Sequence, residues 1–321
     1  MLSGAGHRGE IAAASGLLFT AFCWGSMVPL TSVLLAHLPP FLIAATRYSL
    51  GVPVLALLIA IVEDGPLLPA GLPWGRILML GGFGIAAFAA CYTFGIWYSG
   101  PIEAAAIFAT APVVAALMDR LIGGRRLPGR TVIAVIVAVA GGLIAALGPS
   151  QAHAASHGGE ILILLCMICW TWYSMQAQSW LAPLGIGPLR LTMVTTGAAG
   201  LALWAIYGLT ALAGLQPLPA AWPSGRDLAI LGYLVVGPTA VAIFTWNLGT
   251  GRLGVTVATL FLNLSPVFSV LIGLAFGAEL TLSQLIGGLL AIGAVLWLQI
   301  GQLRGRSQAA AASVDAAGQS R

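Results

Sequence analysis

Ten stretches of the sequence are apolar over roughly 20 residues each, and Pro- or Gly-rich segments separate them. A transmembrane helix needs about 20 apolar residues, because each residue adds 1.5 Å along a helix that crosses about 30 Å of hydrocarbon. The stretches lie at residues 11–35, 40–62, 76–98, 102–122, 131–148, 160–181, 188–213, 227–248, 253–276 and 282–301. Outer-membrane barrels show shorter segments of alternating polarity instead. The pattern therefore predicts an all-α polytopic membrane protein with ten transmembrane helices.

The scarcity of charge excludes a soluble globular protein. Of the 321 residues, 59% are hydrophobic and 7% are charged, and the mean hydropathy is +1.00. A soluble domain carries about 25% charged residues, because its surface faces water. This chain has too few charged side chains to cover such a surface, so we expect it to be embedded in a lipid bilayer.

All 13 basic residues are arginines, and their placement predicts the orientation in the membrane. Basic residues accumulate in short cytoplasmic loops. With ten spans, 11 arginines share one side with both termini, whereas Arg226 falls on the other side and Arg47 lies within the second span. We therefore expect a multi-pass protein of the cell inner (plasma) membrane with its N- and C-termini cytoplasmic. The same bias accounts for the net charge of +4 without a nucleic-acid partner.

An internal repeat relates the two halves of the chain at a shift of 154 residues. At this shift "AIFATAPVVAALMD" (106–119) aligns with "LFLNLSPVFSVLIG" (260–273), and Tyr92 aligns with Trp246. The pattern Gly-x3-Ala-x7-Pro recurs as Gly100, Ala104 and Pro112, then as Gly254, Ala258 and Pro266. These residues belong to the fourth and ninth spans, so each span is fourth in a set of five. Because five is odd, the second set enters the membrane with the opposite orientation, as in many secondary transporters.

The predicted domains follow from this repeat. Residues 11–148 form the first five-helix repeat and residues 160–301 form the second. Residues 302–321 are small and polar, which predicts a disordered cytoplasmic tail. Since each repeat has its complement in the same chain, we expect the protein to function as a monomer.

These features resemble the drug/metabolite transporter superfamily, specifically its EamA-type ten-helix transporters. The resemblance rests on "FCWGSMVPL" in the first span, "RYSLGVPV" in the second, the Gly-x3-Ala-x7-Pro pattern, and "GAELTLSQLIGGLLAIGAVL" leading into the last span. It covers residues 11–301 and implies two inverted repeats that move a small molecule across the membrane.

Differences between this chain and related branches of the superfamily indicate which branch it resembles most. The chain contains no lysine, unlike the phosphate-sugar and nucleotide-sugar branches with their basic sites. Its first span lacks the membrane-embedded glutamate typical of the small multidrug-resistance branch. Arg125 stands at the position in the first repeat that matches Glu279 in the second, so the first repeat lacks that acid. The resemblance therefore favours the amino-acid/metabolite exporter branch.

Arg47 is the charged side chain placed furthest inside a predicted span. A central arginine costs about 2.5–3.5 kcal/mol on insertion scales, so it normally faces a cavity or a partner. One interpretation makes Arg47 a counter-ion for a substrate carboxylate or phosphate. The other pairs it structurally with Glu103 or with carbonyls at a helix end.

Aromatic and amide side chains within the spans complete the candidate site. Deep aromatic rings with polar atoms suit an amphipathic substrate, and an amide within a span usually faces other helices. The candidate substrate-binding residues are Trp24, Arg47, Tyr92, Trp170, Tyr173, Gln176, Trp246, Asn247 and Asn263. Packing or lipid contact is the alternative role for each aromatic residue. Pro112 and Pro266 are candidate hinge or gating positions, or kinks that serve packing alone.

The sequence shows no pattern typical of catalysis. It contains no nucleophile–base pair, no phosphate-binding loop and no metal-ligand spacing. The four cysteines fall within predicted spans, where buried thiols serve packing. His153 and His157 lie four residues apart, but a solvated loop explains them better than a metal site does. We expect no enzymatic activity, no cofactor and no metal.

The sequence thus predicts an inner-membrane secondary transporter with a small-molecule substrate. The leading hypothesis is export of amino acids or similar small amphipathic metabolites by alternating access, through facilitated diffusion or exchange. A proton-coupled multidrug exporter is the alternative, because an aromatic lining serves it equally well. A membrane scaffold or enzyme without transport is the second alternative.

Overall fold

The computed structural model describes residues 2–108, 110–123, 129–146, 158–214 and 222–253, and shorter pieces between 258 and 301, of which 264–277 is the longest. The α-helices are α1 (Leu2–Leu35), α2 (Pro40–Val62), α3 (Trp74–Met79), α4 (Ala87–Ser99), α5 (Pro101–Phe108), α6 (Ala111–Gly123), α7 (Gly129–Ala146), α8 (Gly159–Trp180), α9 (Pro188–Leu212), α10 (Gly225–Leu234), α11 (Ala242–Leu253) and α12 (Ser265–Ala275). Two π-helices, Leu80–Ala86 and Val235–Val241, join α3 to α4 and α10 to α11. Within these ranges no residue forms a β-strand, so the all-α class is confirmed.

Six helical segments are long and apolar enough to cross a membrane. They are Ile11–Leu35, Pro40–Val62, Trp74–Ser99, Gly159–Trp180, Pro188–Leu212 and Gly225–Leu253. These segments coincide, within a few residues at each end, with the first, second, third, sixth, seventh and eighth predicted spans. The other four predicted spans are represented by shorter helices or shorter described pieces.

Local sequence signals account for where several helices begin. Pro40 and Pro188 lie in the first turns of α2 and α9, where the missing N–H has no intrahelical partner to lose. At the start of α10, Ser224 Oγ accepts a hydrogen bond from the Asp227 amide at 3.2 Å. Asp227 Oδ2 in turn accepts one from the Ser224 amide at 3.0 Å, which completes a capping box.

The most extensive helix packing joins the two halves of the chain. The helix α2 packs along α9, α4 packs against α8, and α1 packs against α11. The third span therefore lies on the sixth, while the eighth lies on the first. This reciprocal arrangement is what two repeats related by a pseudo-two-fold axis would produce.

The two π-helices lie at equivalent points of the third and eighth spans, within one residue of the 154-residue shift. Pro238 lies inside the second π-helix, where its missing N–H interrupts the α-helical hydrogen-bond ladder. The first π-helix, "LGGFGIA", contains three glycines. Single π turns occur frequently at functional sites, because they present backbone groups that an α-helix would satisfy internally.

The two repeat-related prolines each lie in the first turn of a new helix. The fourth predicted span is divided, since α5 ends at Phe108 and α6 begins at Ala111, just before Pro112. In the ninth span, α12 begins at Ser265, just before Pro266. Each proline thus starts a helix rather than bending a continuous one, and at this position it costs little.

Two polar contacts tie opposite ends of α2 to its neighbours. After its C-terminus, Glu63 forms an ion pair with Arg190 at the start of α9. Before its N-terminus, His37 Nδ1 lies 3.4 Å from Asp227 Oδ1 at the start of α10. Each contact joins two segments that the arginine distribution predicts on the same side of the membrane.

Candidate functional site

A cavity of about 100 Å³ lies between the two halves of the chain. One water needs about 10–15 Å³ measured in this way, so the cavity can hold a small solute or several waters. Its lining comes from the first, second, third, fourth, sixth, eighth and ninth spans. The lining residues are Trp24, Gly25, Met27, Val28, Arg47, Tyr48, Phe88, Tyr92, Phe108, Ala111, Met167, Trp170, Thr171, Pro238, Ile243, Leu262, Ser265 and Ser269.

Arg47 supplies the charge of this cavity. Its side chain projects from α2, and the residue is only 2% exposed. The guanidinium donates to Thr239 Oγ1 from Nε at 3.3 Å and from Nη2 at 3.2 Å, and Nη2 also donates to Met27 Sδ at 2.8 Å. Within the described residues these are its hydrogen-bonding partners, and both are neutral.

The cation also contacts an aromatic ring. The guanidinium carbon of Arg47 lies 5.7 Å from the centre of the Tyr48 ring, within the range of a cation–π interaction. None of the described hydrogen bonds uses Nη1. Arg47 therefore lines the cavity with donor capacity that no described hydrogen bond uses.

The second π-helix positions two of the cavity side chains. The Pro238 carbonyl accepts a hydrogen bond from Trp24 Nε1 at 3.1 Å. Thr239 Oγ1 donates to the Leu234 carbonyl, five residues earlier, at 2.8 Å, and accepts from Arg47. The second π-helix thus fixes the positions of the Trp24 indole from α1 and the Arg47 guanidinium from α2.

Aromatic rings form the wall of the cavity. Trp24 and Trp170 meet edge to face, with ring centres 5.1 Å apart and planes at 86°. Phe88 lies 5.2 Å from Trp170 and 5.6 Å from Tyr92 between ring centres. Such pairs prefer edge-to-face or offset contacts, and each adds about 0.5–1.5 kcal/mol beyond its buried area.

The two tryptophans that meet here share a sequence context, although they are 146 residues apart and not 154. Trp24 follows Cys23 in the first span, and Trp170 follows Cys169 in the sixth. Trp246, which aligns with Tyr92 in the repeat, lies 5.5 Å from Trp24 between ring centres. The aromatic cluster thus contains one pair that the 154-residue shift aligns, Tyr92 with Trp246, and a second pair that shares the dipeptide Cys-Trp.

The nine predicted substrate-binding residues divide into three groups. Trp24, Arg47, Tyr92 and Trp170 line the cavity. Tyr173, Gln176, Trp246 and Asn247 are described but do not line it. Asn263 lies outside the described residues. Pro112 and Pro266 begin their helices, as described above.

The predicted residues outside the lining mainly join helices. Tyr173 Oη lies 3.2 Å from Thr195 Oγ1, and Asn247 Nδ2 donates to Thr192 Oγ1 at 2.8 Å. Both hydrogen bonds reach α9, so these polar groups satisfy one another between helices. Trp246 is 2% exposed and packs behind Trp24.

Several residues of the site had no distinctive sequence signal. Met27, Tyr48 and Phe88 line the cavity, and Thr239 holds Arg47 without lining it. One usable signal was the recurrence of the dipeptide Cys-Trp in the first and sixth spans. It marks the pair of tryptophans that meet at the cavity wall.

The described cysteines are all free thiols. Among the residues whose structure is described, no group of three His, Cys, Asp or Glu side chains could hold a metal ion. His153 and His157 lie outside those residues. The chemistry of the site is therefore that of a cationic, aromatic cavity.

Comparison with known proteins gives a family match in two places. The model of the EamA-like transporter family matches residues 11–147 and again residues 157–300. The two matches together span nearly the whole chain. With the six apolar helices, they establish a multi-pass membrane protein of a transporter family.

Curated relatives are similar over most of their length. An uncharacterized transporter, YyaM of Bacillus subtilis, is 25% identical over 85% of this chain and 88% of its own. The aromatic amino acid exporter YddG of Ancylobacter novellus is 24% identical over 79% of this chain and 85% of its own. An uncharacterized inner membrane transporter, YedA of Escherichia coli K12, is 27% identical over 84% of each chain.

A solved crystal structure shares the fold. It superposes with a TM-score of 0.63 over 92% of this chain and 99% of its own, at 22% sequence identity. This likeness extends across both halves of the chain.

Proposed function

The chain belongs to the EamA-like transporter family, and from that membership we propose that it is an inner-membrane secondary transporter that exports amino acids or similar small amphipathic metabolites. Transport would proceed by alternating access, as facilitated diffusion or exchange. The proposed substrate is a small molecule with a carboxylate at one end and an apolar group at the other.

The observation that carries this proposal is the position of Arg47 in an aromatic cavity. A buried guanidinium with neutral partners attracts an anionic group, because the described lining residues offer it no counter-charge. The rings of Trp24, Trp170 and Tyr92 provide the apolar wall for the rest of the substrate. The name of the Ancylobacter relative, an aromatic amino acid exporter, fits such a substrate.

The proposed architecture has ten helices in two inverted repeats, residues 11–148 and 160–301, followed by a cytoplasmic tail. Three observations support it: the double family match, the π-helices at equivalent positions, and the reciprocal packing of the halves. Both termini would be cytoplasmic, in keeping with the arginine distribution. A single chain would suffice, since it contains both repeats.

Alternating access would come from rocking of one repeat against the other around the cavity. The breaks before α6 and α12 lie next to it, since Ala111 and Ser265 belong to its lining. Pro112 and Pro266 would serve as hinges there, because a broken helix can bend without losing regular hydrogen bonds.

A proton-coupled multidrug exporter is the competing proposal, favoured by the number of aromatic rings in the lining. Such rings accommodate flat apolar compounds of many kinds. This alternative does not need Arg47, whereas a carboxylate carrier does. The two proposals therefore predict different effects of replacing Arg47.

Counterflow uptake into liposomes tests the function. Purified protein would be offered labelled amino acids, sugars, nucleosides and cationic dyes, with Arg47→Ala as the variant and Arg76→Ala, an exposed arginine, as the matched control. Amino-acid uptake that is lost only with Arg47→Ala and does not respond to a pH gradient supports the proposal. Dye uptake that survives the substitution and follows the gradient supports the multidrug exporter. If no solute of the panel is taken up, transport is refuted, and a scaffold or an enzyme remains as the explanation.

A further inference from the structure

We propose that the cavity prefers monoanionic aromatic carboxylates over zwitterionic amino acids and over cations. This inference rests on the proposed function and specifies its substrate class. It is based on the charged and hydrogen-bonding side chains that line the cavity, which suit an anion better than a cation.

Among the described lining residues, positive charge is not balanced by negative charge. Arg47 is the cation, and among the described lining residues no side chain is an aspartate or a glutamate. The hydrogen-bonding partners of Arg47, Thr239 and Met27, are neutral as well. A ligand with one negative charge brings the cavity to neutrality, whereas a zwitterion leaves one net positive charge in an enclosed, apolar place.

Among the described lining side chains, two donor-only groups have no described hydrogen bond. Arg47 Nη1 makes no described hydrogen bond, and Trp170 Nε1 is buried without a partner among the described residues. Both groups donate and cannot accept. Ser265 Oγ, also in the lining, is buried without a described hydrogen bond and can donate. A carboxylate is an acceptor with up to four lone-pair sites and suits such donors, whereas an ammonium group would add further donors.

The faces of the aromatic rings could hold an ammonium group through cation–π contacts. The strong edge-to-face contact of Trp24 with Trp170, however, turns a ring edge of one indole toward the other. Tyr48 already lies beneath the guanidinium of Arg47. The rings therefore serve best as an apolar wall for the aromatic part of a ligand.

Three ligands with one phenylpropyl skeleton and different charged groups test the preference. L-3-Phenyllactate carries a net charge of −1, L-phenylalanine replaces its hydroxyl with an ammonium group, and L-phenylalaninol keeps the ammonium but replaces the carboxylate with an alcohol. Binding to the full-length protein in detergent at neutral pH would be measured by isothermal titration calorimetry. We expect Kd for phenyllactate to be lower than that for phenylalanine by about tenfold or more, and phenylalaninol to bind weakest.

Variants assign the preference to Arg47. With Arg47→Gln, the ratio of the two Kd values should fall to near one, and with Arg76→Gln it should stay unchanged. The second variant removes the same charge from an exposed site, so it controls for the overall positive charge of the protein. The wild-type comparison stands by itself if Arg47→Gln does not fold.

Each other outcome overturns the inference in a recognisable way. Equal or tighter binding of phenylalanine refutes the anion preference and leaves amino-acid export intact. Tightest binding of phenylalaninol refutes it in favour of the cationic multidrug alternative. If none of the three ligands binds, the preference for aromatic acids is refuted, and the liposome panel with its non-aromatic solutes still decides whether the protein transports.

Discussion

Arg47 donates two hydrogen bonds to a single oxygen, Thr239 Oγ1, from Nε at 3.3 Å and from Nη2 at 3.2 Å. The hydroxyl of Thr239 donates its own proton to the Leu234 carbonyl at 2.8 Å, so it can only accept from the guanidinium. The second span and the eighth are thereby joined at the cavity. Because Nε and Nη2 are both held on one side, Nη1, which makes no described hydrogen bond, has a fixed orientation.

Replacing Thr239 with valine should weaken substrate binding without removing the charge. Valine keeps the shape of threonine but cannot accept the two hydrogen bonds, and bonds to charged groups contribute about 1.5–3 kcal/mol each. We expect the KM of counterflow uptake to rise by roughly tenfold or more, and Thr239→Ser to restore it. An unchanged KM in Thr239→Val would show that Arg47 needs no fixed orientation.

Replacing Trp24 with phenylalanine should lower stability modestly. Phenylalanine keeps an aromatic ring against Trp170 but loses the hydrogen bond to the Pro238 carbonyl at 3.1 Å. We expect the free energy of unfolding to fall by about 0.5–1.5 kcal/mol. Thermal unfolding in detergent measures this. Trp204→Phe is the matched control, because Trp204 is 42% exposed and has no described hydrogen bond to lose.

The ion pair of Glu63 with Arg190 should contribute measurably to stability, with unequal effects of its two partners. The side chains are 21% and 14% exposed, and Arg190 also donates to the carbonyls of Asp64 at 2.8 Å and Pro66 at 3.1 Å. Arg190→Gln should therefore destabilise the protein more than Glu63→Gln does. A double-mutant cycle should give a coupling of about 1 kcal/mol. Equal single effects with no coupling would show that the pair is not formed in solution.

Alanine at two glycines should change stability in opposite directions. A Cβ atom on Gly25 would lie 2.5 Å from the Ser265 carbonyl oxygen and 2.7 Å from Phe268 Cβ, so α1 and α12 would have to separate. We expect Gly25→Ala to cost about 1–3 kcal/mol. Gly232, in α10, has nothing within 4 Å of such an atom, and Gly232→Ala should stabilise by about 0.5–1 kcal/mol. Unfolding temperatures of the two variants, measured side by side, check both signs.

The sequence predicted where α2 and α9 begin, although α1 begins at Leu2, nine residues before the predicted start at residue 11. Apolar runs stop where proline, glycine and charge begin, so α2 and α9 begin at the residues expected. The break between α5 and α6 was not predicted, since the apolar run from 102 to 122 continues across it. Proline in a membrane segment is compatible with either a bend or a new helix, and packing decides between them.

The composition of the cavity was predicted only in part, for a physical reason. A helix that is apolar on every face gives no periodic signal of which side chains turn toward the interior. Polar atoms within a span must find partners, but Tyr173 and Asn247 found theirs on α9 and not in the cavity. Arg47 was identifiable because a charged side chain within a membrane span must face a cavity or a partner. Thr239 was not, because a threonine in a membrane helix can bond its own backbone.

Because of the π-helices, the exact number of residues in the third and eighth spans determines which side chains face the site. Each residue advances an α-helix by about 100°, and a π turn takes up one residue more than an α turn. Tyr92 and Trp246 lie beyond their respective π-helices, so the extra residue decides which way each ring faces. Deleting a single residue from either segment would leave an apolar helix of nearly the same length. It would nonetheless rotate every side chain after it by about a quarter turn and carry the ring of that half out of the cluster.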